Sequence, residues 1–410
     1  MIAVAFAGVL LASTPINSYA LMGPDDFDVP EPPDIDPSDI EPPDIEIPDI
    51  EIPEVEVPEV EVEATEPDEP AELEASDDTG LADDHGGHGG HGGHGADDSS
   101  AMADDDDVRQ HLNEPMEVER NHYGEEYVAR EVLVAATRSE ISQTTSRGFD
   151  IVSTVDLGRD DRQVARLLTP SDLSVAQSID YLRRLMPGGI VTINNAYRSS
   201  QVRARRTNQH APSAQPLHSN ALVGIIDTGA STRDGDAIVL RTRGFGSAGY
   251  APREHGTAVV AIVARFGAHA QVADVFGPSR AGQPYASASA IIAAMRWMVE
   301  SGVPVINISI EGPRNPILES IVAEAARNGH VIVAAAGNGG PLAHPAYPGA
   351  YDGVVAVTAV DANGRAYIRA NRGEYISFAA LGVDVPVDAQ DGNVSVTGTS
   401  FAAPLVAAQL

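Results

Sequence analysis

The sequence contains no cysteine and no lysine, has a single tryptophan, and has few aromatic residues overall. Without cysteine, disulfide scaffolds and metal sites built on thiolates are excluded. Arginine supplies all 26 basic residues against 60 acidic ones, which gives a net charge of −34. Because no basic stripe is present, nucleic acid is excluded as a partner. No run of 18 or more apolar residues occurs, so no membrane span is predicted.

The acidic excess is confined to the first quarter of the chain. Residues 1–107 hold 32 of the acidic residues and no basic one, whereas residues 108–410 hold 28 acidic residues and 26 arginines. A segment with high charge and few aromatics cannot bury enough apolar surface to offset its ordering entropy. We therefore predict that residues 21–107 form a disordered acidic region. The regularly spaced prolines between residues 42 and 62 favour an extended spacer. The roughly 300 residues that follow suffice for one or two packed domains.

The amino terminus is typical of a secretory signal. Residues 2–13 form a short apolar run, and Ser18-Tyr19-Ala20 places small residues where a signal peptidase cleaves. We predict a signal peptide at 1–20 and a secreted or periplasmic product that is free of the membrane after cleavage. An uncleaved anchor stays open as an alternative, because the segment before the apolar run has no arginine or lysine.

A second low-complexity segment is a Gly-Gly-His repeat, and its imidazoles are candidate metal ligands. Four imidazoles on a flexible tether can gather a zinc, copper or nickel ion. A glycine-rich linker with a pH-sensitive charge is the competing interpretation. The candidate transition-metal ligands are His85, His88, His91 and His94.

Residues 108–198 have the pattern of a small α+β domain. Strands are predicted at 126–136, 149–155, 163–168 and 190–194, and helices at 139–148 and 171–185. The order strand, helix, strand, strand, helix, strand indicates a ferredoxin-like arrangement. The stretch 199–215 is polar, rich in arginine and interrupted by proline, so a linker or processing region is predicted there.

Residues 216–410 have a different pattern, in which apolar strands alternate with helices. The strands are predicted at 221–226, 271–276, 303–308, 330–335 and 353–360, and the helices at 255–266, 287–299 and 315–328. This alternation is typical of an α/β fold whose parallel sheet is covered on both faces. In such sheets the chemistry lies at the carboxyl ends of the strands.

Four polar side chains fall at the ends of predicted strands or at the starts of predicted helices. Asp227 leaves a buried strand into a glycine turn, and Asn338 ends another strand in Ala336-Gly337-Asn338. His255 begins a buried helix, and Ser400 opens a further one within Gly-Thr-Ser-Phe-Ala-Ala-Pro. The first turn of a helix tolerates the proline and surrounds the serine with free N–H groups, which favour a developing anion.

These residues, in this order and in these settings, resemble the subtilisin-like serine peptidases, the subtilases. The resemblance covers roughly residues 216–410 and includes the stretches Ser309–Pro313 and Tyr347-Pro348. It implies a subtilisin-like three-layer sandwich with a mainly parallel sheet. It also implies that residues 108–198 are a propeptide-like inhibitory domain of a self-processing precursor.

The resemblance further implies the roles of the residues. Ser400 is expected to be the nucleophile, His255 the general base, Asp227 the group that orients the histidine, and Asn338 the oxyanion donor. The implied activity is hydrolysis of peptide bonds in protein or peptide substrates, with no cofactor required for catalysis. Calcium is expected by family resemblance alone, with the loop Asp361-Ala362-Asn363-Gly364 as its candidate site.

Two features depart from the family pattern. In the substrate-binding stretch Ser309, Ile310, Glu311, Gly312, a carboxylate replaces the usual glycine. Glu311 is predicted to favour arginine or lysine in the pocket for the residue before the scissile bond, and the alternative is that it points to solvent. The sequence also ends ten residues after Ser400, so we expect a peptidase domain shortened at its carboxyl end.

Two rival functions are compatible with parts of the sequence. Asp227-Thr228-Gly229-Ala230-Ser231 is also the active-site turn of aspartic peptidases, which share a proton between two aspartates. That function leaves His255 and Ser400 without a role. The second rival is a non-enzymatic metal- or mineral-surface binder whose peptidase domain is inactive.

Overall fold

A computed structural model describes residues 111–112, 114–158, 160–199, 205–207, 221–231, 238–389 and 392–410. All of these residues belong to the same structural unit. The predicted signal peptide, the predicted acidic arm and the histidine repeat lie outside the described residues. Within the described ranges, no helix is long and apolar enough to cross a membrane.

The first part of the described chain is built on an antiparallel sheet with two helices. Its elements are β1 (Val118–Arg120), β2 (Glu126–Thr137), α1 (Arg138–Thr145), β3 (Asp150–Asp156), β4 (Arg162–Leu168), α2 (Val175–Leu185) and β5 (Ile190–Ser199). The strand order β5-β2-β4-β3, with β1 paired to the start of β2, confirms the predicted ferredoxin-like arrangement. One face of this sheet packs on α1 and α2 around Phe149, Ile141 and Leu182.

The starts of both helices differ from the prediction. Helix α1 begins after Thr137, whose hydroxyl accepts the N–H of Glu140 while the Glu140 carboxylate accepts the N–H of Thr137. Ser174 and Gln177 form the same reciprocal cap before α2. The predicted starts at residues 139 and 171 were wrong because a capping box, rather than the first serine met along the chain, determines where a helix begins.

The second part of the described chain contains most of the elements. These are β6 (Arg205–Arg206), β7 (Leu222–Asp227), β8 (Val239–Gly244), α3 (Glu254–Ala264), β9 (His269–Asp274), β10 (Phe276–Gly277), β11 (Tyr285–Ser287), α4 (Ala288–Glu300), β12 (Val305–Ile308), β13 (Ile310–Glu311), α5 (Pro316–Arg327), β14 (Val331–Ala335), β15 (Val354–Val360), β16 (Ile376–Leu381), β17 (Val385–Ala389), β18 (Gly392–Val396) and α6 (Thr399–Ala407).

A seven-stranded sheet in the order β16-β15-β14-β12-β7-β9-β8 forms the centre of this part, and its strands are parallel. Helices α4 and α5 cover one face, where Ile226 and Ile306 contribute to the core. Helices α3 and α6 cover the other face, where Val223 and Val272 contribute. The three layers confirm the predicted fold class.

Strand β5 is longer than predicted and connects the two parts. The prediction ended this strand at residue 194, but it continues to Ser199 because two short strands of the second part pair with it. Tyr197 lies opposite Ala286 of β11, and Arg198 lies opposite Glu311 of β13, both in antiparallel register. Within the predicted linker at 199–215, Arg205 and Arg206 form β6, which pairs with β18. The proposed domain limits at 108–198 and 216–410 remain predictions.

Candidate active site

Three of the predicted site residues lie together in one hydrogen-bonded row. The Asp227 Oδ1 atom lies 2.7 Å from His255 Nδ1, and His255 Nε2 lies 3.1 Å from Ser400 Oγ. All three side chains are buried. The imidazole ring also packs against the ring of Phe401, with 5.1 Å between the centroids. When a carboxylate, an imidazole and a hydroxyl are arranged in this order, the imidazole can take the proton of the hydroxyl as the hydroxyl oxygen attacks a substrate.

The fold brings these three residues together from separate elements. Asp227 is the last residue of β7, whereas His255 and Ser400 each lie in the first turn of a helix, α3 and α6. Gly256 permits the close approach of α3, because a Cβ atom there would lie only 2.2 Å from the carbonyl oxygen of Thr228. The Gly256 N–H instead donates to the Thr228 hydroxyl at 2.8 Å.

Two side chains that sequence reasoning missed hold the loop after Asp227. The Tyr250 hydroxyl accepts the N–H of Ala230 at 2.9 Å and donates to the carbonyl oxygen of the same residue at 2.8 Å. The Asp274 carboxylate accepts the N–H of Ala251 at 2.8 Å, and burial raises the pKa of this carboxyl. Asp274 ends a parallel strand beside Asp227, and that position is the one signal in the sequence that points to it.

Asn338 presents an unpaired N–H donor group next to the serine. Its Oδ1 atom accepts the N–H of Thr399 at 3.1 Å, and this contact fixes the orientation of the side chain. Its Nδ2 atom is buried and has no hydrogen-bond partner. Gly337 adopts a φ of +104°, a conformation that favours glycine, and this turn carries Asn338 towards α6. A buried, unpaired N–H donor is costly unless a ligand satisfies it.

The predicted substrate-binding stretch flanks the same place. The Ser309 hydroxyl donates to the carbonyl oxygen of Ser400 at 3.0 Å. Ile310 is buried, and a Cβ atom on Gly312 would lie 2.3 Å from the ring of Tyr197, so β5 lies directly against this stretch. The half-buried Glu311 does not extend into solvent, because its Oε2 atom accepts the backbone N–H of Asn338 at 2.7 Å.

Of the two predicted metal sites, the histidine repeat lies outside the described residues, and only the calcium loop can be compared with the structure. The Asp361 loop does not fit calcium, because Asp361 Oδ1 accepts the N–H groups of Asn363 and Arg365, and its Oδ2 accepts the Arg365 guanidinium at 2.7 Å. The charge of this carboxylate is therefore already neutralised within its own loop. Among the described residues, no group of three or more histidine, aspartate or glutamate side chains is placed to hold a metal ion.

The three-layer fold and the row of a carboxylate, an imidazole and a hydroxyl point to the class of serine-type endopeptidases. Comparisons with known proteins agree with this class. The Subtilase family matches residues 218–410. Subtilisin DY of Bacillus licheniformis is 34% identical over 206 residues, which cover 46% of this chain and 74% of the relative. The chain therefore belongs to the subtilase family.

Further comparisons give the extent of the similarity. The thermophilic serine proteinase of Bacillus sp. (strain AK1) is 32% identical over 203 residues, and the match covers 45% of this chain and 50% of the relative. The crystal structure of fervidolysin from Fervidobacterium pennivorans, a keratinolytic enzyme related to subtilisin, matches with a TM-score of 0.57. That match covers 72% of this chain and 55% of the other, and at 19% identity it shows the fold alone.

Proposed function

We propose that Asp227, His255 and Ser400 act as a catalytic triad that hydrolyses peptide bonds. The observation that carries this proposal is the row of contacts of 2.7 Å and 3.1 Å through the two nitrogens of one imidazole. The Ser400 oxygen attacks the substrate carbonyl carbon, and its proton passes to His255 Nε2. The histidine then returns that proton to the leaving amine, and water releases the acyl group from the serine by the same route.

The buried donors around Ser400 complete this mechanism. As the carbonyl carbon becomes tetrahedral, its oxygen gains negative charge, and donors already in position stabilise that charge without reorganising. We assign this role to the unpaired Nδ2 of Asn338 and to the backbone N–H of Ser400 in the first turn of α6. The geometry disfavours an aspartic peptidase, because the Asp227 carboxylate is engaged by His255 and by the N–H of Thr228.

Replacing Asn338 by alanine is expected to lower kcat by about 10²- to 10³-fold with little change in KM. The size is carried over from the corresponding change in subtilisin. KM stays nearly constant because the Nδ2 donor becomes important only when the substrate oxygen is charged. The measurement is steady-state hydrolysis of a peptide anilide. The matched control is Asn371→Ala. Asn371 Oδ1 accepts the N–H of Gly339, which follows Asn338 in the same loop, and the variant removes that acceptor. An equal loss of kcat in both variants would mean that the loop, and not the donor, matters.

We further propose that the first part of the chain is an inhibitory propeptide and that the enzyme processes itself. The support is β5, which lies as an extended strand between β11 and β13 and reaches the stretch that contacts Ser400. Cleavage is assigned to the region 199–215, which follows this strand. Together with the predicted signal at 1–20, this assignment describes a secreted zymogen.

A second attachment holds the proposed propeptide outside the cleft. The N–H of Met116 donates to the carbonyl oxygen of Pro278 at 2.9 Å, and the N–H of Arg280 donates to the carbonyl oxygen of Met116 at 3.0 Å. The Arg280 guanidinium also binds the carboxylates of Glu117 and Glu114, at 2.7 and 2.5 Å. These contacts do not depend on the peptide bond after β5, so they persist when that bond is cut.

Replacing Arg280 by glutamine is expected to weaken retention of the cleaved propeptide by about 2- to 10-fold, because exposed ion pairs contribute little each. The measurement is the rate at which peptidase activity appears as the processed propeptide dissociates, at low and at high salt. High salt should remove the difference between variant and wild type. The control is Arg365→Gln, which removes an exposed ion pair of the same kind with Asp361. Unchanged release in Arg280→Gln at low salt would rule out a contribution of the ion pairs with Glu114 and Glu117 to this attachment.

A further inference from the structure

Strand β6 lies on one edge of a small sheet that leads into the helix of Ser400. The strand order of this sheet is β17-β18-β6. Arg205 lies opposite Ser395 and Arg206 opposite Val394, in antiparallel register. Both arginine side chains are exposed, so the pairing depends on the backbone. Among the described strands, β17 covers one edge of β18 and β6 alone covers the other.

Buried contacts fix the position of β18 relative to Ser400. Val396, the last residue of β18, lies opposite Val385 of β17, and both side chains belong to the core that this hairpin shares with α3 and α6. The N–H of Gly398, two residues before Ser400, donates to the carbonyl oxygen of Gly382 at 2.8 Å. A peptide that is bound along β18 is therefore held in a fixed position relative to the nucleophile.

Strands β5 and β6 lie on opposite sides of the nucleophile along the chain. At the end of β5, Ser199 lies opposite Ile310. The adjacent Ser309 donates its hydroxyl to the carbonyl oxygen of Ser400. Along β6, each further residue lies opposite a residue of β18 that is more distant in sequence from Ser400. The chain thus approaches the nucleophile along β13 and departs from it along β18.

This arrangement assigns β18 to the segment that carries the leaving amine. Hydrolysis in the region after β5 breaks one peptide bond and leaves the pairing of β6 with β18 unchanged. The new amino-terminal segment contains β6, and it stays covalently joined to the peptidase. We propose that β18 binds the leaving side of peptide substrates and that β6 remains on it after processing as a tethered inhibitor. This inference rests on the proposed function.

A tethered strand competes with substrates at a high effective concentration. Segments on short flexible linkers act at about millimolar concentration. An extended peptide that adds to a sheet edge binds chiefly through main-chain hydrogen bonds, so β18 should accept many sequences that lack proline. Long substrates have to displace β6, whereas substrates that end close to the cleaved bond do not reach it. The tethered strand should therefore raise KM for long substrates and leave kcat unchanged.

Two fluorogenic peptides with the same residues before the cleaved bond test the inference. One ends two residues after that bond and the other ends eight residues after it. The variant with Arg205→Pro and Arg206→Pro has no N–H at either position, so β6 can no longer donate to β18. We expect its KM to fall by about 3- to 10-fold for the long peptide and to stay unchanged for the short one. The control carries Arg205→Ala and Arg206→Ala, which removes the same charges but keeps both N–H groups, and its KM values should match those of wild type.

Active enzyme is counted beforehand by titration with a serine-directed phosphonate. If the serine titrates but all three proteins have the same KM for the long peptide, the inference is refuted and the peptidase mechanism stands. A mature wild-type chain whose mass shows that it begins after Arg206 refutes the retained strand. If the proline variant folds but does not process itself while the alanine variant does, the precursor needs this pairing for its own leaving side, which supports the inference. If no serine titrates in wild type and neither peptide is cleaved, the proposed function itself fails, and the inference fails with it.

Discussion

Replacing Ser400 by alanine is expected to lower kcat by about 10⁶-fold and to abolish cleavage within 199–215. The size is carried over from the triad of subtilisin, where loss of the serine leaves only the contribution of the oxyanion donors and of binding. In the proposed mechanism the hydroxyl oxygen of Ser400 bonds to the substrate carbon. This oxygen belongs to a buried side chain and lies 3.1 Å from Nε2 of His255, the proposed base. The measurement combines peptide hydrolysis with the mass of the purified chain.

The Ser400→Ala test needs a control for the loss of a buried hydroxyl. Ser178 provides it, since its Oγ is buried in α2 without a hydrogen-bond partner. Ser178→Ala should keep wild-type kcat and processing, and its unfolding temperature should not fall. If Ser400→Ala remained processed at the wild-type site, with wild-type kcat, Ser400 would not be the nucleophile.

Replacing Asp227 by asparagine is expected to lower kcat by about 10⁴-fold at neutral pH while the fold is retained. In the proposed mechanism the carboxylate, 2.7 Å from Nδ1, holds the imidazole proton on that nitrogen, and Nε2 is then able to accept the proton of Ser400. An amide group of the same shape can donate to Nδ1, and the imidazole then carries its proton on Nε2, facing the hydroxyl. That tautomer cannot act as the base.

Asp274→Asn is the matched control for Asp227→Asn. Asp274 is also buried and lies opposite Asp227 in the parallel sheet, but it holds backbone N–H groups instead of the histidine. We expect it to lose roughly tenfold or less in kcat, as a positioning residue. Both variants are compared by kcat, KM and far-ultraviolet circular dichroism. Losses of equal size would indicate that general damage to this sheet edge, and not the histidine tautomer, lowers the rate.

The sequence was sufficient to predict which polar side chains lie together at this edge of the sheet. Asp227 and Asn338 follow buried strands, and His255 and Ser400 open helices, so a parallel sheet necessarily brings them to one edge. Local pattern carries this information because the polar residues stand out against apolar runs. The distances, and the unpaired state of Asn338 Nδ2, required coordinates, because they depend on contacts across the fold.

Features that depend on distant partners were not predictable. Strand β5 extends to Ser199 only because β11 and β13, more than 80 residues later in the chain, supply hydrogen bonds to it. Tyr250 has no local signal at all, since its hydroxyl matters through the backbone of Ala230. The Asp361 loop resembled a cation site, but the nearby guanidinium of Arg365 already satisfies it.

The most direct test is to locate the bond that a fluorophosphonate forms with the folded protein. After labelling, cleavage at arginine releases residues 373–410 as one peptide, because that segment contains neither arginine nor lysine. The account predicts one adduct per active molecule, on Ser400, and no adduct on the His255→Ala variant, in which the serine has lost its base. An unlabelled peptide from folded, processed protein, or an adduct confined to Ser377 or Ser395, would contradict the triad.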